Sequence, residues 1–256
     1  PELYKRLCDP DGMVEGVEAR PIARTRDRVV VSLAVAVGGM TQPLVAARHH
    51  PAVRFPDVVL DLVLKSRARN SWDCAAGLEL RRAPVPFHVC HMAKGRGWRK
   101  EQLLLTEGRP GACTLREWLA SGDGPDRRGG SEEERKGLIR KLARAVRSFH
   151  AAGYWHTDLR DANVLIRPSA NVADSELRVS GLGRARRLRC LPPMLREMLY
   201  GLDLARFALS FQSPPSGLDR VRFLRAYCEG MKEPLHRGVL RHVVGACLRR
   251  HLKRQG

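Results

Sequence analysis

Aromatic side chains are scarce, at 5% of the 256 residues, and acids are outnumbered, with 27 Asp and Glu against 46 Lys and Arg. The shortage of aromatics argues against a surface built to stack nucleic-acid bases, and the arginines are spread along the chain rather than gathered into one patch. Cysteine is present seven times (Cys8, Cys74, Cys90, Cys113, Cys190, Cys228, Cys247), but never as a CxxC pair. An odd, scattered set fits reduced thiols, mostly in the core, better than a disulfide frame or a zinc site. His88, Cys90 and His91 stand close together, yet no second ligand pair follows to complete a zinc tetrahedron. No apolar run is long enough to cross ~30 Å of hydrocarbon, because the longest, Val29 to Val37, is short and contains Ser32. The default location is therefore the cytoplasm.

Hydrophobic residues make up 43% of the chain, enough for a sizeable core in one large domain or two lobes. The net charge of +19 favours anionic partners: phosphates, nucleic acid or an acidic membrane surface, the last allowing a peripheral location. Arginine-rich coding in a GC-rich genome is the plainer source of the same charge. The sequence opens on Pro1, which suggests a processed or trimmed start.

Residues 1–27 show no clear period and read as an extension or a partial first strand. Val29–Val37 and Pro43–Arg48 flank Gly38-Gly39, and two β-rich runs around paired glycines predict a hairpin. Apolar spacing predicts a helix over roughly 66–82, ending before Pro84. Two further strands follow, Val85–Met92 and Gln102–Thr106, separated by the basic turn Lys94–Gly97. Thr114 with Glu117, and Ser131 followed by three glutamates, are N-terminal helix caps. Leu138, Leu142, Val146 and Phe149 then repeat at helical spacing up to His150, the strongest helical pattern in the chain. Val164–Arg167 and Glu176–Val179 read as a small hairpin, and 190–253 as helices broken by two proline pairs.

The chemistry lies in His156-Thr-Asp-Leu-Arg-Asp-Ala-Asn163. Phosphoryl transfer needs a carboxylate to orient the acceptor hydroxyl and take its proton, metal ligands against the phosphates, and a cation on the nucleotide. The pattern H-x-D-L-x-x-x-N supplies the first carboxylate and one ligand. In this register Asp158 is the base, Asn163 a Mg²⁺ ligand, and His156 the brace of the loop. The apolar Val164-Leu165-Ile166 anchors it downstream, and Gly153 stops the helix upstream.

The run Phe149-His-Ala-Ala-Gly-Tyr-Trp-His-Thr-Asp-Leu-Arg-Asp-Ala-Asn-Val-Leu resembles the lipopolysaccharide kinase (Kdo/WaaP) family more than eukaryotic protein kinases. Ser66–Trp72, Pro84–Pro86, Leu103–Glu107, Leu202–Ser210 and Phe223–Tyr227 carry more diffuse likeness, so that the whole spans roughly residues 28–230. The resemblance implies an α+β, bilobal protein-kinase-like fold: a small β-rich N-lobe over 28–107 and a larger helical C-lobe over 108–256. It implies ATP and Mg²⁺ as cofactors and a lipopolysaccharide core sugar, or another anionic glycan, as acceptor. Glu107–Pro110 takes the place of the hinge, making Glu107 a nucleotide-binding position.

The departures from the family pattern bear on activity. Aligning Arg184-Ala185-Arg186 puts Gly181 where the family has a Mg²⁺-binding aspartate. Ser180 offers only a weak oxygen, and Asp174 or Glu176 would have to reach in from the hairpin. Strand residues Ala47 and Arg48 stand where a nucleotide lysine is expected, so Arg48 is the cofactor-binding candidate, with Lys65 in reserve. Asp73 and Glu79 are candidates for the helix acid that pairs with that cation. Gly38-Gly39 lacks the G-x-G-x-x-G of a phosphate cradle. Two readings follow: an ATP-dependent phosphotransferase, or a pseudokinase that keeps the fold for binding or scaffolding.

Overall fold

The computed structural model describes residues 17–24, 28–37, 40–50, 66–95, 101–121, 131–211, 215–229, 231 and 234–255. Lys65, the Gly38-Gly39 turn, and the end of the basic turn at Gly97 lie outside them. The chain divides into two compact units, Pro1–Ala76 with Pro86–Pro110, and Gly77–Val85 with Gly111–Gly256.

The first unit is a five-stranded antiparallel sheet in the order β1-β2-β3-β5-β4, with helix α1 (Arg67–Glu79) beginning in it. Its strands are β1 (Val17–Arg24), β2 (Arg28–Val37), β3 (Met40–His49), β4 (His88–Lys94) and β5 (Glu101–Glu107). The valine-rich β2 pairs with β3 along its whole length, Arg28 opposite His49 and Val37 opposite Met40, as two β-branched runs around a turn dictate. β1 is a full strand where the sequence shows no period; Pro21, which has no N–H to give, coincides with a slip in its register against β2. Leu33, Ala46, Leu103 and Leu105 close the core, and alternation along the strands puts them on one face. β4 starts at His88, three residues later than the apolar run suggests, because Pro84 and Pro86 cannot donate to a ladder. α1 ends at Glu79, and the N–H groups of Arg81 and Arg82 turn back onto the carbonyls of Leu78 and Glu79.

The second unit is mostly helical. Its helices are α2 (Leu115–Ala120), α3 (Glu132–Ala151), α4 (Pro193–Ser210), α5 (Gly217–Cys228) and α6 (Pro234–Gln255). Both expected caps form, each as a capping box: the Thr114 and Ser131 hydroxyls accept from the N–H of Glu117 and Glu134, whose carboxylates reach back. The apolar stripe of α3, Leu138, Leu142, Val146 and Phe149, is buried as its spacing requires, contributing roughly 1.5–3 kcal/mol per side chain. Two small sheets complete the unit. β6 (Cys113–Thr114), β8 (Val164–Arg167) and β9 (Glu176–Val179) form one, and β7 (Tyr154–Trp155) with β10 (Arg186–Arg187) the other. The six cysteines among the described residues are free thiols.

Candidate active site

α3 stops at Ala151, and Gly153 follows with φ of 85°, a backbone that leads the chain into β7 and then the loop. The loop His156–Asn163 runs from β7 to β8, so both ends are pinned by strands. The antiparallel pairs Trp155 with Arg186 and Tyr154 with Arg187 fix its entry, and Val164 opposite Val179 fixes its exit.

His156 is fully buried. Its backbone N–H donates to Asp203 Oδ2 at 2.7 Å, and its Nε2 lies 2.7 Å from the Ser180 carbonyl. A carbonyl only accepts, so Nε2 carries the proton. Burial pushes the His156 imidazole below its ordinary value of 6.5, with the Ser180 carbonyl opposing that shift. His150 is treated the same way. Its Nε2 lies 3.3 Å from Asp203 Oδ2, its Nδ1 2.7 Å from the Tyr227 hydroxyl, and its ring stacks on Tyr200 at 4.3 Å. Burial also lowers His150, with Asp203 opposing. One carboxylate, Asp203 of α4, thus ties together the end of α3 and the start of the loop.

Two neutral buried histidines give the unit an acid limit. Unfolded, each takes a proton as pH falls through 6.5; folded, each resists until a lower pH. The stabilisation is complete above the ordinary value of 6.5 and declines as pH falls below it, by about 1.4 kcal/mol per pH unit for each histidine while only the unfolded form is protonated. Urea titrations at pH 7.5 and 5.5 should show this loss, and a midpoint unchanged between them would contradict it.

Thr157 takes φ of 66°, a left-handed backbone that non-glycine residues rarely adopt. Its hydroxyl donates to the Arg184 carbonyl at 3.1 Å, and its own carbonyl accepts from Arg206 at 3.0 Å. The strain, on the order of 1–3 kcal/mol, is held by these contacts and turns the next residue, Asp158, toward solvent. The Asp158 side chain is 29% exposed and is paired with Arg160. Asn163 Nδ2 donates to the Asp158 carbonyl at 2.7 Å and reaches its carboxylate at 3.5 Å. His156, Asp158 and Asn163 therefore come together in one loop.

Asp161 belongs to the framework. It is buried, accepts from Arg116 Nε and NH2 at 3.1 and 2.7 Å, and borders, with Arg116, an apolar cavity of about 500 Å³ lined by Leu115, Leu138, Leu142 and Phe207. The hydrogen bond from Arg116 holds that guanidinium above its ordinary value.

At the metal position, Gly181 has φ of 76°, and its N-terminal neighbour Ser180 donates both N–H and hydroxyl to the Asn163 carbonyl at 2.8 and 3.1 Å. A Cβ on Gly181 would lie 2.8 Å from both Cγ and Oδ1 of Asn163. The asparagine side chain fills the space a residue at 181 would enter. Asp174 is exposed beyond β8, and Glu176 is paired with Arg178 at 2.9 Å. Among the described residues no three His, Cys, Asp or Glu side chains are grouped to hold a metal ion. The described residues do not fit the Mg²⁺ site of the kinase pattern.

Arg48 and Glu107 lie in the first unit. Arg48 NH2 donates to both carboxylate oxygens of Glu101 at 3.1 and 3.2 Å, and Glu107 pairs with Arg109 at 3.2 Å. The two stand apart on the sheet: Arg48 opposite Leu103, Glu107 opposite Leu44. Asp73 is paired with Arg69 at 3.1 Å. His88 contacts Ser71 and His91 contacts Gln102, so neither is set aside for a metal.

The sequence singles out neither Asp203 nor Thr157. Asp203 enters only as part of a helix, although a lone acid among Leu202, Leu204, Ala205 and Phe207 is the mark of a buried carboxylate with a fixed partner. Thr157 takes a left-handed backbone that residue type does not reveal, and Ser180, a weak oxygen donor by its sequence place, gives its N–H and hydroxyl to the Asn163 carbonyl.

Comparison with known proteins gives three results. The model of the family "Lipopolysaccharide kinase (Kdo/WaaP) family" matches residues 59–227. The EKC/KEOPS complex subunit bud32 of Emericella nidulans is 35% identical over 80 residues, which are 27% of this chain and 28% of that protein. The chain thus spans well under a third of that relative. A solved structure of WaaP in complex with acyl carrier protein superposes with a TM-score of 0.65 at 21% identity, covering 98% of this chain and 96% of that one. At that identity the superposition establishes the kinase-like fold.

Proposed function

Because the chain belongs to the lipopolysaccharide kinase (Kdo/WaaP) family, we propose that it uses this kinase-like fold to bind an anionic glycan of the lipopolysaccharide-core class without transferring phosphate to it. The observation that carries this reading is the Asn163 side chain standing 2.8 Å from where a Cβ at Gly181 would be. A metal carboxylate is replaced by glycine, and the space is taken by the remaining ligand. Such a metal supplies several kcal/mol of charge stabilisation in phosphoryl transfer, so its loss costs orders of magnitude in rate. The strand lysine is absent as well, and the arginine at that place is turned to Glu101. What remains is an ordered loop, a part-exposed Asp158 carboxylate able to accept hydrogen bonds from sugar hydroxyls, and a chain of net charge +19 that attracts phosphorylated sugars.

The second reading, ATP-dependent transfer with Asp158 as base, is favoured by the join of Asp158 and Asn163 in one braced loop. Turnover separates the two. Supplied with Mg-ATP and inner-core glycan, the protein should consume no ATP above buffer and still bind the phosphorylated glycan by calorimetry. ATP consumption that Asp158→Ala abolishes would establish the transfer reading.

A further inference from the structure

One apolar surface of the second unit has no part in the site. Leu191, Met194, Leu195 and Met198 are 37%, 50%, 45% and 41% exposed, at the entry to α4. At 100° per residue, Met194, Leu195 and Met198 fall within an arc of about 100° on the first turns of that helix. Four large apolar side chains in eight residues, none of them sheltered, are not the scattered exposure of an ordinary surface.

The same segment is basic. Between Arg184 and Met198 stand five arginines, Arg184, Arg186, Arg187, Arg189 and Arg196, against one acid, Glu197, which is buried. Arg184, Arg186, Arg187 and Arg189 are exposed. Apolar side chains presented beside a cluster of cations match a lipid surface, where the first enter the acyl boundary and the second meet anionic headgroups. A protein partner of matching chemistry would need an apolar patch ringed by acids; a bilayer with anionic lipid supplies both over any area.

We infer that residues 184–198 form a membrane-docking element that seats this chain on an anionic lipid bilayer. Its attachment to the loop is direct. Arg186 and Arg187 pair with Trp155 and Tyr154, the Leu188 N–H donates to the Gly153 carbonyl at 2.9 Å, and Thr157 donates to the Arg184 carbonyl. α4 also carries Asp203, which holds His156. Docking through this element therefore sets the loop of Asp158 beside the headgroup layer, where the saccharide of a glycolipid lies. The inference deepens the proposed glycan binding by naming a lipid-borne ligand, but rests on the surface itself and stands whether or not phosphate is transferred.

Vesicle flotation tests it, using mixed phosphatidylglycerol and phosphatidylcholine vesicles beside phosphatidylcholine alone, at physiological salt. The parent chain should float with the anionic vesicles and not with the neutral ones. Met194→Ser, Leu195→Ser and Met198→Ser combined leave the net charge unchanged and should cut partition by about tenfold or more. Arg186→Gln with Arg189→Gln should do so by a similar factor. A serine variant that floats like the parent would mean that adsorption comes from net charge alone, and would overturn the inference. So would equal partition onto neutral vesicles, or no partition with a concentration-dependent dimer that the serine variant loses. Matching thermal melts of parent and variants exclude unfolding as the cause, and ATP turnover, measured separately, decides the transfer question without touching this one.

Discussion

Replacing Asp203 with alanine should destabilise the protein by about 3–5 kcal/mol, among the largest losses any single side chain here can produce. The carboxylate is fully buried and accepts from the His156 backbone N–H at 2.7 Å and from His150 Nε2 at 3.3 Å, with Arg206 3.6 Å from its second oxygen. Alanine leaves the His156 backbone N–H and the His150 imidazole without their acceptor in a dry interior, at about 1–3 kcal/mol for each unsatisfied group, and opens a small void beside them. For a chain of this size the loss corresponds to a fall in melting temperature of roughly 10 °C. Asp203→Asn keeps one acceptor oxygen and should cost less than alanine. Urea denaturation of the three proteins checks the order, and an alanine variant within about 1 kcal/mol of the parent would show that Asp203 does not hold the loop. Because His156 passes this constraint to Ser180 through Nε2, the alanine variant should also loosen the loop locally, read as faster amide exchange at residues 156–163 than in helices of equal burial.

How much of this was legible in the sequence depends on where the information resides. The capping boxes at Thr114 and Ser131, the buried stripe of α3, the β2–β3 hairpin and the β8–β9 hairpin were readable because each is set by local spacing. The family resemblance rested on a motif whose residues are also close in space, and the family match and the kinase-like fold agree with it. β1 was legible only as an extension or a partial first strand, since Val17–Arg24 contains a proline and three charged residues and becomes a strand by pairing with β2. The assignment of residues 77–85 to the second unit was equally hidden: it depends on Pro84 and Val85 accepting hydrogen bonds from Val179 and Arg178, which are more than ninety positions away. At the site the sequence identified Gly181 as a missing carboxylate, but whether another acid filled the gap was a question of distance. The structure places Glu176 with Arg178 and turns Asn163 to Asp158, so no neighbouring acid takes up that role among the described residues.

Gly181→Asp should give the opposite signature from the parent in the presence of magnesium. Without the metal the variant pays twice. An L-residue at φ of 76° costs about 1–2 kcal/mol relative to glycine, and its Cβ, 2.8 Å from Asn163 Cγ, forces that side chain off the Asp158 carbonyl. A net loss of about 2–3 kcal/mol is expected in chelator. With the metal, the new carboxylate and the displaced Asn163 amide oxygen are two hard oxygen donors on adjacent backbone segments, since Ser180 is bonded to the Asn163 carbonyl through both N–H and hydroxyl. Millimolar MgCl₂ with ATP should then raise the melting temperature of the variant by several degrees while leaving the parent unchanged, as linkage requires of a ion that binds only the folded variant. A parent chain that is itself stabilised by Mg-ATP would show that Asn163 and its neighbours hold the metal without a carboxylate at 181, and the reading of this chain as a non-transferring glycan binder would fall. A variant that gains the shift, and with it ATP turnover that Asp158→Ala removes, would show instead that the glycine at 181 separates this fold from transfer and that the loop around Asp158 is otherwise ready for it.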